Sequence, residues 1–456
     1  MKELPPGWVH ALADEIVAST PNALAIGPFG SNLKVSDYRD AGVPLVFVRN
    51  IRADAFDSAD LKFVSTAKAD TLHAHRVKNG DLLITKMGDP PGDTAIYPLA
   101  KDGIITADCV KLTPHSSIDA RYLMYAISSP AVKRQILQIT RGVAQPKMSL
   151  DRFRHGVKIP VASSAEQKRI VATIEEQFSR LDAGVGALER VRRNLKRTRA
   201  AAFESLLDGD FPSVALGSLG DGPRAIVDGP FGSNLKTEHY VESGPRVIRL
   251  QNVGDGDFID ARAHIAPEHF ARLQRHAVLP GDLVCAILGE VLPRAVIVPD
   301  GIGPAIVKAD CPRIRLTPAV NATFVWGVLN APATRHLVAT KIKGVGRPRL
   351  TLSALRQVHI PLPDRAEQDR RALQLVEELA RIRRLDSQVA DAQRHAGALR
   401  SSILTTAFSG RLVHQDPSDE PASALLERIA AERASSNGHR PRRGREPRLL
   451  RDELSA

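Results

Sequence analysis

The chain carries the octapeptide GPFGSNLK twice, at 27–34 and again at 229–236. Further matched segments follow in the same order and at nearly the same spacing: VKNGDLL with VLPGDLV, ADC with ADC, RGVAQPKMSLDRF with KGVGRPRLTLSAL, and KIPVASSAEQKRI with HIPLPDRAEQDRR. A repeat that keeps its order over such a distance is typical of a duplicated structural unit. The sequence therefore predicts two similar domains rather than one loop that is used twice.

Each copy changes character after its AEQ segment. The preceding part is rich in glycine, proline and short β-type runs, which predicts a mixed α/β domain. The following part has apolar residues at alternating steps of three and four over about 40 residues, the pattern of a coiled-coil helix. In the first copy this seam contains Val171, Ile174, Phe178, Leu181, Val185 and Leu188, and in the second Leu375, Leu379, Ile382, Leu385, Val389 and Leu399.

These patterns predict an α+β protein in which two mixed α/β domains are separated by a long antiparallel coiled coil, with pseudo-two-fold symmetry. A helix of this length cannot bury its apolar stripe alone, and the matching helix of the other copy is the nearest partner. A helical linker that only buries itself is the alternative. The predicted segments are 1–160 (first domain), 161–210 (first helix), 211–361 (second domain), 362–414 (second helix) and 415–456 (a short helix and an Arg-rich, partly disordered tail).

The charge of the chain indicates a polyanionic partner. The formal net charge is +12 among 456 residues, and Lys and Arg side chains gain affinity for a phosphate backbone by releasing counterions. Only 4% of the residues are aromatic, which favours duplex over single-stranded nucleic acid, since single strands bind through base stacking. Two domains that differ in sequence would read two different half-sites, so we expect a bipartite, asymmetric double-stranded target.

The compartment follows from what the sequence lacks. The N-terminal segment MKELPPGWVHALADEI has no apolar signal core, and no stretch approaches about 20 uncharged apolar residues. Three scattered cysteines do not form a disulfide framework. We therefore expect a cytoplasmic protein without membrane contact.

The order of these motifs, present twice, resembles the specificity subunit of type I restriction-modification systems over about residues 1–415. The resemblance rests on GPFGSNLK, on GDLL or GDLV, on GVAQPKMS or GVGRPRLT, and on the AEQ segment that opens each long helix. It implies two target recognition domains and no catalytic activity or cofactor in this chain. It also implies docking, on the AEQ segments and helices, of two DNA-adenine methyltransferase subunits. Restriction/translocase subunits can join them, with S-adenosylmethionine, ATP and magnesium ions bound by the partner subunits.

Two other functions stay open at this point: a bifunctional enzyme that fuses recognition to cleavage or methylation, and a coiled-coil adaptor without a DNA role. DPPGD at 89–93 is similar to a methyltransferase box, but Gly92 stands where an aromatic residue would stack on a flipped base. Asp81 and Lys86 have nuclease-like spacing, although the second copy lacks the lysine, so a turn before a strand explains Asp81 better. Core packing likewise explains the cysteines better than zinc binding.

Polar and basic loop residues are the predicted DNA contacts. The identical loops supply Ser31, Asn32, Lys34, Ser233, Asn234 and Lys236, either as a phosphate clamp or on a turn that shapes the domain. Base discrimination is expected where the copies differ, at Arg49, Lys86, Gln145, Lys147, Gln251, Arg347 and Arg349. Asn50, Arg141, Asn252 and Lys343, on the same segments, complete the predicted DNA-binding set; no metal ligands are expected.

Overall fold

The computed structural model describes residues 4–88, 91–142, 146–344 and 346–438, and the chain divides into two compact units. Unit 1 consists of residues 1–185 and 393–456, and unit 2 of residues 186–392. Each long helix begins in one unit and ends in the other. The predicted segments are continuous stretches of sequence. Each compact unit, in contrast, contains one mixed domain together with part of each long helix.

Two four-stranded sheets form the centre of the first mixed domain. Their strand orders are β6-β3-β10-β7 and β2-β11-β8-β9, and β1 pairs with β12 and β4 with β5. The strands are β1 (Val9–Leu12), β2 (Leu24–Ile26), β3 (Val43–Val46), β4 (Ile51–Arg52), β5 (Ala55–Phe56), β6 (Lys62–Val64), β7 (Arg76–Val77), β8 (Leu82–Thr85), β9 (Thr94–Ile96), β10 (Gly103–Ile105), β11 (Cys109–Leu112) and β12 (Lys158–Val161). The helices are α1 (Ala13–Ile16), α2 (Thr66–Thr71), α3 (Ala120–Ser128), α4 (Pro130–Ile139) and α5 (Leu150–Gly156), and the long helix α6 (Ser164–Glu204) follows.

The second mixed domain repeats this topology, with sheets ordered β16-β15-β20-β17 and β14-β21-β18-β19 and with β13 paired to β22. Its strands are β13 (Ser213–Ala215), β14 (Ile226–Val227), β15 (Tyr240–Ile248), β16 (His264–Ile265), β17 (Ala277–Val278), β18 (Leu283–Ala286), β19 (Arg294–Ile297), β20 (Ala305–Val307), β21 (Arg313–Ile314) and β22 (His359–Pro361). Its helices are α7 (Pro267–Arg272), α8 (Ala322–Asn330), α9 (Pro332–Ala339) and α10 (Leu352–Arg356), followed by the long helix α11 (Arg365–Ala407) and by α12 (Ala422–Gly438).

The duplication extends to the strand register. In the parallel pair β3 and β10, Leu45 lies opposite Ile104, and in β15 and β20, Val247 lies opposite Ile306. Both partners are displaced by the same 202 positions that separate the two octapeptides. The GDL segments each end in a fully buried strand, β8 or β18, because a continuous apolar run suits a strand covered on both faces. The prediction of two similar mixed domains is confirmed.

Within each unit, the segments of α6 and α11 run antiparallel. In unit 2, Arg192 lies 3.4 Å from Asp386, while Arg371, earlier in α11, donates to the carbonyl of Ser205, which directly follows α6. In unit 1, Asp182 pairs with Arg400 at 2.5 Å, and Arg169, earlier in α6, pairs with Asp419, which follows α11. The antiparallel pairing predicted from the seam is thus found in both units.

The predicted seam is correct in part. Ile174 and Phe178 are buried in the core of unit 1, and Leu375, Leu379 and Ile382 in that of unit 2. Leu385 and Leu399, predicted for the same seam, are 40% and 52% exposed. The heptad pattern marks an apolar stripe, but it does not say how much of the stripe a second helix covers.

Helix α12 is an integral part of unit 1. Ala422, Leu425 and Ile429 are buried in the same core as Trp8 and Tyr122. The Arg433 guanidinium donates to the carbonyls of Asp14 and Val17, the latter at 2.5 Å. The predicted short helix is confirmed, and its apolar face stabilises the first domain. The remainder of the predicted tail, residues 439–456, lies outside the described residues.

The three cysteines are free and buried, which agrees with their predicted role in packing. Burial raises the pKa of the Cys109 and Cys285 thiols to about 12. Among the described residues, no group of His, Cys, Asp and Glu side chains is arranged to hold a metal ion, and no helix is long and apolar enough to cross a membrane.

Candidate nucleic-acid interface

The two GPFGSNLK loops have the same shape for the same backbone reason. A Cβ atom on Gly27 would lie 2.1 Å from the carbonyl carbon of Thr106, and one on Gly229 would lie 2.1 Å from that of Lys308. Only glycine allows the loop to approach the residue after β10 or β20 so closely. Gly30 and Gly232, with φ of +58° and +60°, then turn the chain outward. This geometry supports the interpretation of the octapeptide as a turn that shapes the domain.

The polar residues of both loops project from that turn. All six predicted side chains are exposed, which leaves them accessible to a partner: Ser31, Asn32, Lys34, Ser233, Asn234 and Lys236. Their role as a phosphate clamp remains a prediction.

In unit 1 three basic residues from two of the repeated motifs come together. The backbone of Arg141 exchanges hydrogen bonds of 3.1 and 2.9 Å with that of Lys147, and the next residue, Met148, donates to the carbonyl of Lys86 at 2.9 Å. The Lys86 ammonium lies 4.7 Å from the centre of the Phe29 ring, at the tip of the first octapeptide loop. The loop, the end of β8 and the hairpin base at 141 and 147 therefore form one surface, which we call surface 1.

The electrostatics of surface 1 combine cations with one carboxylate. Lys147 pairs with Asp108, in the ADC segment, at 3.3 Å. Partial burial lowers the pKa of Lys86, with Asp108 opposing the shift and Lys147 adding to it. Gln145, the remaining predicted residue of this hairpin, lies outside the described residues.

Unit 2 builds the equivalent surface, surface 2, from different side chains. Lys343 and Arg349 exchange two backbone hydrogen bonds of 2.9 Å, and Leu350 donates to the carbonyl of Ile287 at 2.8 Å, as in unit 1. Here Arg349 provides the cation near the loop ring, with its guanidinium carbon 5.4 Å from the centre of Phe231. Arg347, in the same hairpin, is exposed. The position of Lys86 is occupied by the buried Ile287.

Arg349 is also held by two acidic residues. It lies 2.7 Å from Asp310 and 3.8 Å from Asp228. Burial raises the pKa of Asp228 to about 6, and the neighbouring Asp310 carboxylate adds to the shift. Surface 2 thus contains a carboxyl group with a raised pKa, at a position where unit 1 has Ile26.

Arg49 and Gln251 occupy equivalent exposed positions. The Arg49 guanidinium donates to the carbonyl of Asp60 at 3.0 Å and lies over the Phe47 ring at 4.3 Å. Gln251 lies on the short 3-10 helix Leu250–Asn252. The contacts of Arg49 with Phe47 and Asp60 hold its side chain against its own loop. Base contact by Arg49 or Gln251 remains a prediction.

The structure corrects two predicted DNA contacts, Asn50 and Asn252, which are both buried. The Asn50 side chain accepts from the amide of Phe47 and donates to two carbonyls, at Asp57 and Ala59. Asn252 makes the same three bonds to Arg249, Ile259 and Ala261 at 2.8–2.9 Å. Each asparagine side chain thus bonds three backbone groups of its own loop. Both asparagines therefore have a structural role in place of the predicted DNA contact.

Asp81, the acidic residue of the nuclease-like spacing, also has a structural role. It is buried, accepts from the amide of Lys78 at 2.8 Å and accepts from the Thr113 hydroxyl at 2.6 Å. Its equivalent, Asp282, caps the same turn and receives two bonds from Arg315. Both aspartates stabilise the turn before a buried strand, as the second copy led us to expect.

The AEQ glutamines fix the start of each long helix. Gln167 accepts from the amide of Asp119 and donates to the carbonyl of Ala162, and Gln368 repeats this with Asn321 and Pro363. Both glutamines are buried, so a partner that docks here would contact the exposed side chains around them.

Two residues that the sequence analysis did not select stand out on these surfaces. The Phe29 and Phe231 side chains are 55% and 50% exposed. The sequence did contain a sign of this exposure: in GPFGSNLK the phenylalanine is surrounded by glycine and polar residues, with few apolar neighbours that could bury it. The neighbouring cations Lys308 and Arg249, each within 6 Å of the Tyr240 ring centre, were missed as well.

Comparison with known proteins gives a consistent set of relatives. No family model matches the chain. The EcoKI specificity subunit of the type I restriction enzyme of Escherichia coli K12 is 24% identical, over 97% of this chain and 98% of the relative. The StySPI specificity subunit of Salmonella potsdam is 23% identical with the same coverage, and the MjaVIII specificity subunit of Methanocaldococcus jannaschii is 24% identical over 73% of this chain and 79% of its own length.

Solved structures agree on the fold. A chain from a study of complex assembly and conformational transition in the type I R-M system has a TM-score of 0.66 at 17% identity, over 90% of this chain and 100% of that chain. The HsdS subunit from Thermoanaerobacter tengcongensis has a TM-score of 0.50 at 16% identity, over 90% and 98%.

Proposed function

We propose, from the premise that this chain is a homologue of type I restriction enzyme specificity subunits, that it is the non-catalytic DNA-recognition subunit of such a complex. Each mixed domain would bind one half of a bipartite, asymmetric double-stranded target. Two methyltransferase subunits, and restriction subunits where present, would carry the chemistry. S-adenosylmethionine, ATP and magnesium ions would then be bound by those partners in the cytoplasm.

The observation that carries this proposal is the repeated surface with altered side chains. Surfaces 1 and 2 share their backbone contacts, while exposed equivalent positions of the two domains carry different donors: Arg49 in unit 1 corresponds to Gln251 in unit 2. A conserved frame that presents different donors is what two readers of different sequences require, since base edges are distinguished by the pattern of donors and acceptors that meets them.

The basic side chains suit the two tasks of such a reader. The first task is positioning: Lys and Arg pair with phosphates and fix the register of the protein on the duplex. The second task is base recognition, in which Arg and Lys bind guanine O6 and N7 and Gln binds adenine N6 and N7. Exposed Arg347 and Gln251 in unit 2, and Arg49 and Lys147 in unit 1, are therefore our candidates for base discrimination. The exposed octapeptide side chains are candidates for phosphate contact.

The test is co-expression of the full chain with a candidate methyltransferase subunit, followed by genome-wide mapping of methylated adenines. We expect one motif made of two short sequences with an unspecified spacer. The methyltransferase subunit alone is the control and should leave the DNA unmodified. Co-purification of both chains without any methylated motif, or methylation at an unsplit motif, would contradict the proposal.

A further inference from the structure

Both octapeptide loops expose a phenylalanine ring beside their polar residues. Phe29 and Phe231 are the two aromatic members of the exposed large hydrophobic side chains among the described residues. They occupy equivalent positions 202 residues apart. A single exposed apolar side chain is ordinary, but one that recurs on the same turn of two domains, next to the predicted DNA-contact residues, indicates a use outside the core.

The rings are placed by a constrained backbone. The residue before each ring is buried proline, Pro28 or Pro230, and the glycine before it packs directly on the backbone of the neighbouring strand end. Each ring therefore projects from a turn that is fixed to the sheet of its domain. A side chain held in this way loses little conformational entropy when it contacts a partner.

Each ring is accompanied by a cation, and the two units obtain it from different segments. In unit 1 it is Lys86 at the end of β8, and in unit 2 it is Arg349 at the base of the 343–349 hairpin. The same pairing of ring and cation thus persists although the residue at each position has changed. Because a cation lies over the ring in both units, although a different segment supplies it, we infer that the pair of ring and cation acts together in binding a partner.

Resting on the proposed function, we propose that Phe29 with Lys86, and Phe231 with Arg349, form two sequence-independent grips on the DNA backbone. The ring packs on a deoxyribose and the cation contacts the adjacent phosphate. The loops are identical and so cannot tell different half-sites apart, which assigns them to the backbone. About half of each ring remains covered by the protein, which suits side-on packing against a sugar rather than insertion between bases.

The test measures binding of the purified full chain to a duplex that lacks any target motif, at fixed salt. Covering roughly 60 Å² of ring surface corresponds to about a tenfold change in Kd. We therefore expect Phe29→Ala and Phe231→Ala each to weaken binding about tenfold, and Phe29→Tyr to restore it. Val35→Ala is the matched control, since Val35 is 78% exposed just after the same loop and should bind like the parent chain.

Two further readouts separate the parts of the grip. Phe29→Ala should leave the slope of log K against log salt unchanged, whereas Lys86→Ala should reduce it by about 0.9. Phe29→Ala should still unfold cooperatively, with an unfolding temperature only a few degrees lower, because about half of the ring is covered in the folded chain. Unchanged affinity in Phe29→Ala and Phe231→Ala would overturn the grip. So would a Phe29-dependent rise in the fluorescence of 2-aminopurine placed in the duplex, which would indicate insertion between bases.

Failure of this inference and failure of the proposed function give different results. If the parent chain binds duplex and directs methylation while both alanine variants bind equally well, only the grip is refuted. If the parent chain itself binds no duplex, the proposed function is refuted and the grip with it.

Discussion

Asn252→Ala tests the reassignment of a predicted DNA contact to the core of unit 2. The Asn252 side chain makes three hydrogen bonds to backbone groups and is buried. At about 1 kcal/mol for each lost bond, the variant should lose about 3 kcal/mol of unfolding free energy in unit 2. With an m-value of about 2–3 kcal/mol/M in urea, the unfolding midpoint should fall by about 1 M.

The two tryptophans provide the assay, because Trp8 lies in unit 1 and Trp326 in unit 2. In a Trp8→Phe background, tryptophan fluorescence follows unit 2 alone during urea unfolding. Gln251→Ala is the matched control at the neighbouring exposed position and should leave the midpoint unchanged. An unchanged midpoint in Asn252→Ala, together with weaker DNA binding by the folded variant, would refute the structural role.

Three further predictions follow from the structure. Gly229→Ala places a Cβ 2.1 Å from the carbonyl carbon of Lys308 and should lower the urea midpoint of unit 2 strongly. Gly186→Ala, in the part of α6 that belongs to unit 2, brings a Cβ no closer than 3.7 Å to the Arg190 side chain and should stabilise by about 0.5–1 kcal/mol; equal midpoints would be inconsistent with the fixed loop. Leu425→Ala, in the core-facing side of α12, should cost about 2–5 kcal/mol in unit 1, read from Trp8 fluorescence in a Trp326→Phe background, and no loss would mean that α12 does not pack there. Because the folded pKa of Asp228 is raised to about 6 from an ordinary 3.8, folding favours its protonated form, so this group's destabilising effect should grow as pH rises from about 4 to above 6. Asp228→Asn should therefore gain stability over the parent chain at pH 7.5 and lose that gain near pH 4, and a pH-independent difference in unfolding free energy would contradict this.

Most of the fold could be predicted because duplication leaves a trace in the sequence that does not depend on local propensity. The matched segments predict two domains of one topology, and the same 202-residue displacement reappears in the register of Leu45 with Ile104 and of Val247 with Ile306. The long helices could also be predicted from the sequence, since their apolar periodicity continues for many turns. How completely the partner covers the stripe depends on tertiary packing, and this explains why Leu385 and Leu399 are exposed.

The candidate site was harder to predict from the sequence, because the polarity of a residue does not show whether its side chain points into the domain or into solvent. Asn50 and Arg49 are adjacent polar residues of one 3-10 turn, and the turn directs the asparagine inward to cap a loop and the arginine outward. Phe29 shows the reverse case, in which an apolar residue was not selected for the surface although its side chain is 55% exposed. Only the close packing of Gly27 on Thr106 shows that the loop holds the ring away from the core.

The most direct test of the account is an exchange of residues 1–160 for the equivalent segment of a type I restriction enzyme specificity subunit, followed by mapping of methylated adenines. If each mixed domain reads one half of the target, the exchange should replace one half of the motif and leave the other half as it is in the parent chain. An unchanged motif, or the loss of both halves in a complex that still methylates DNA, would contradict the account.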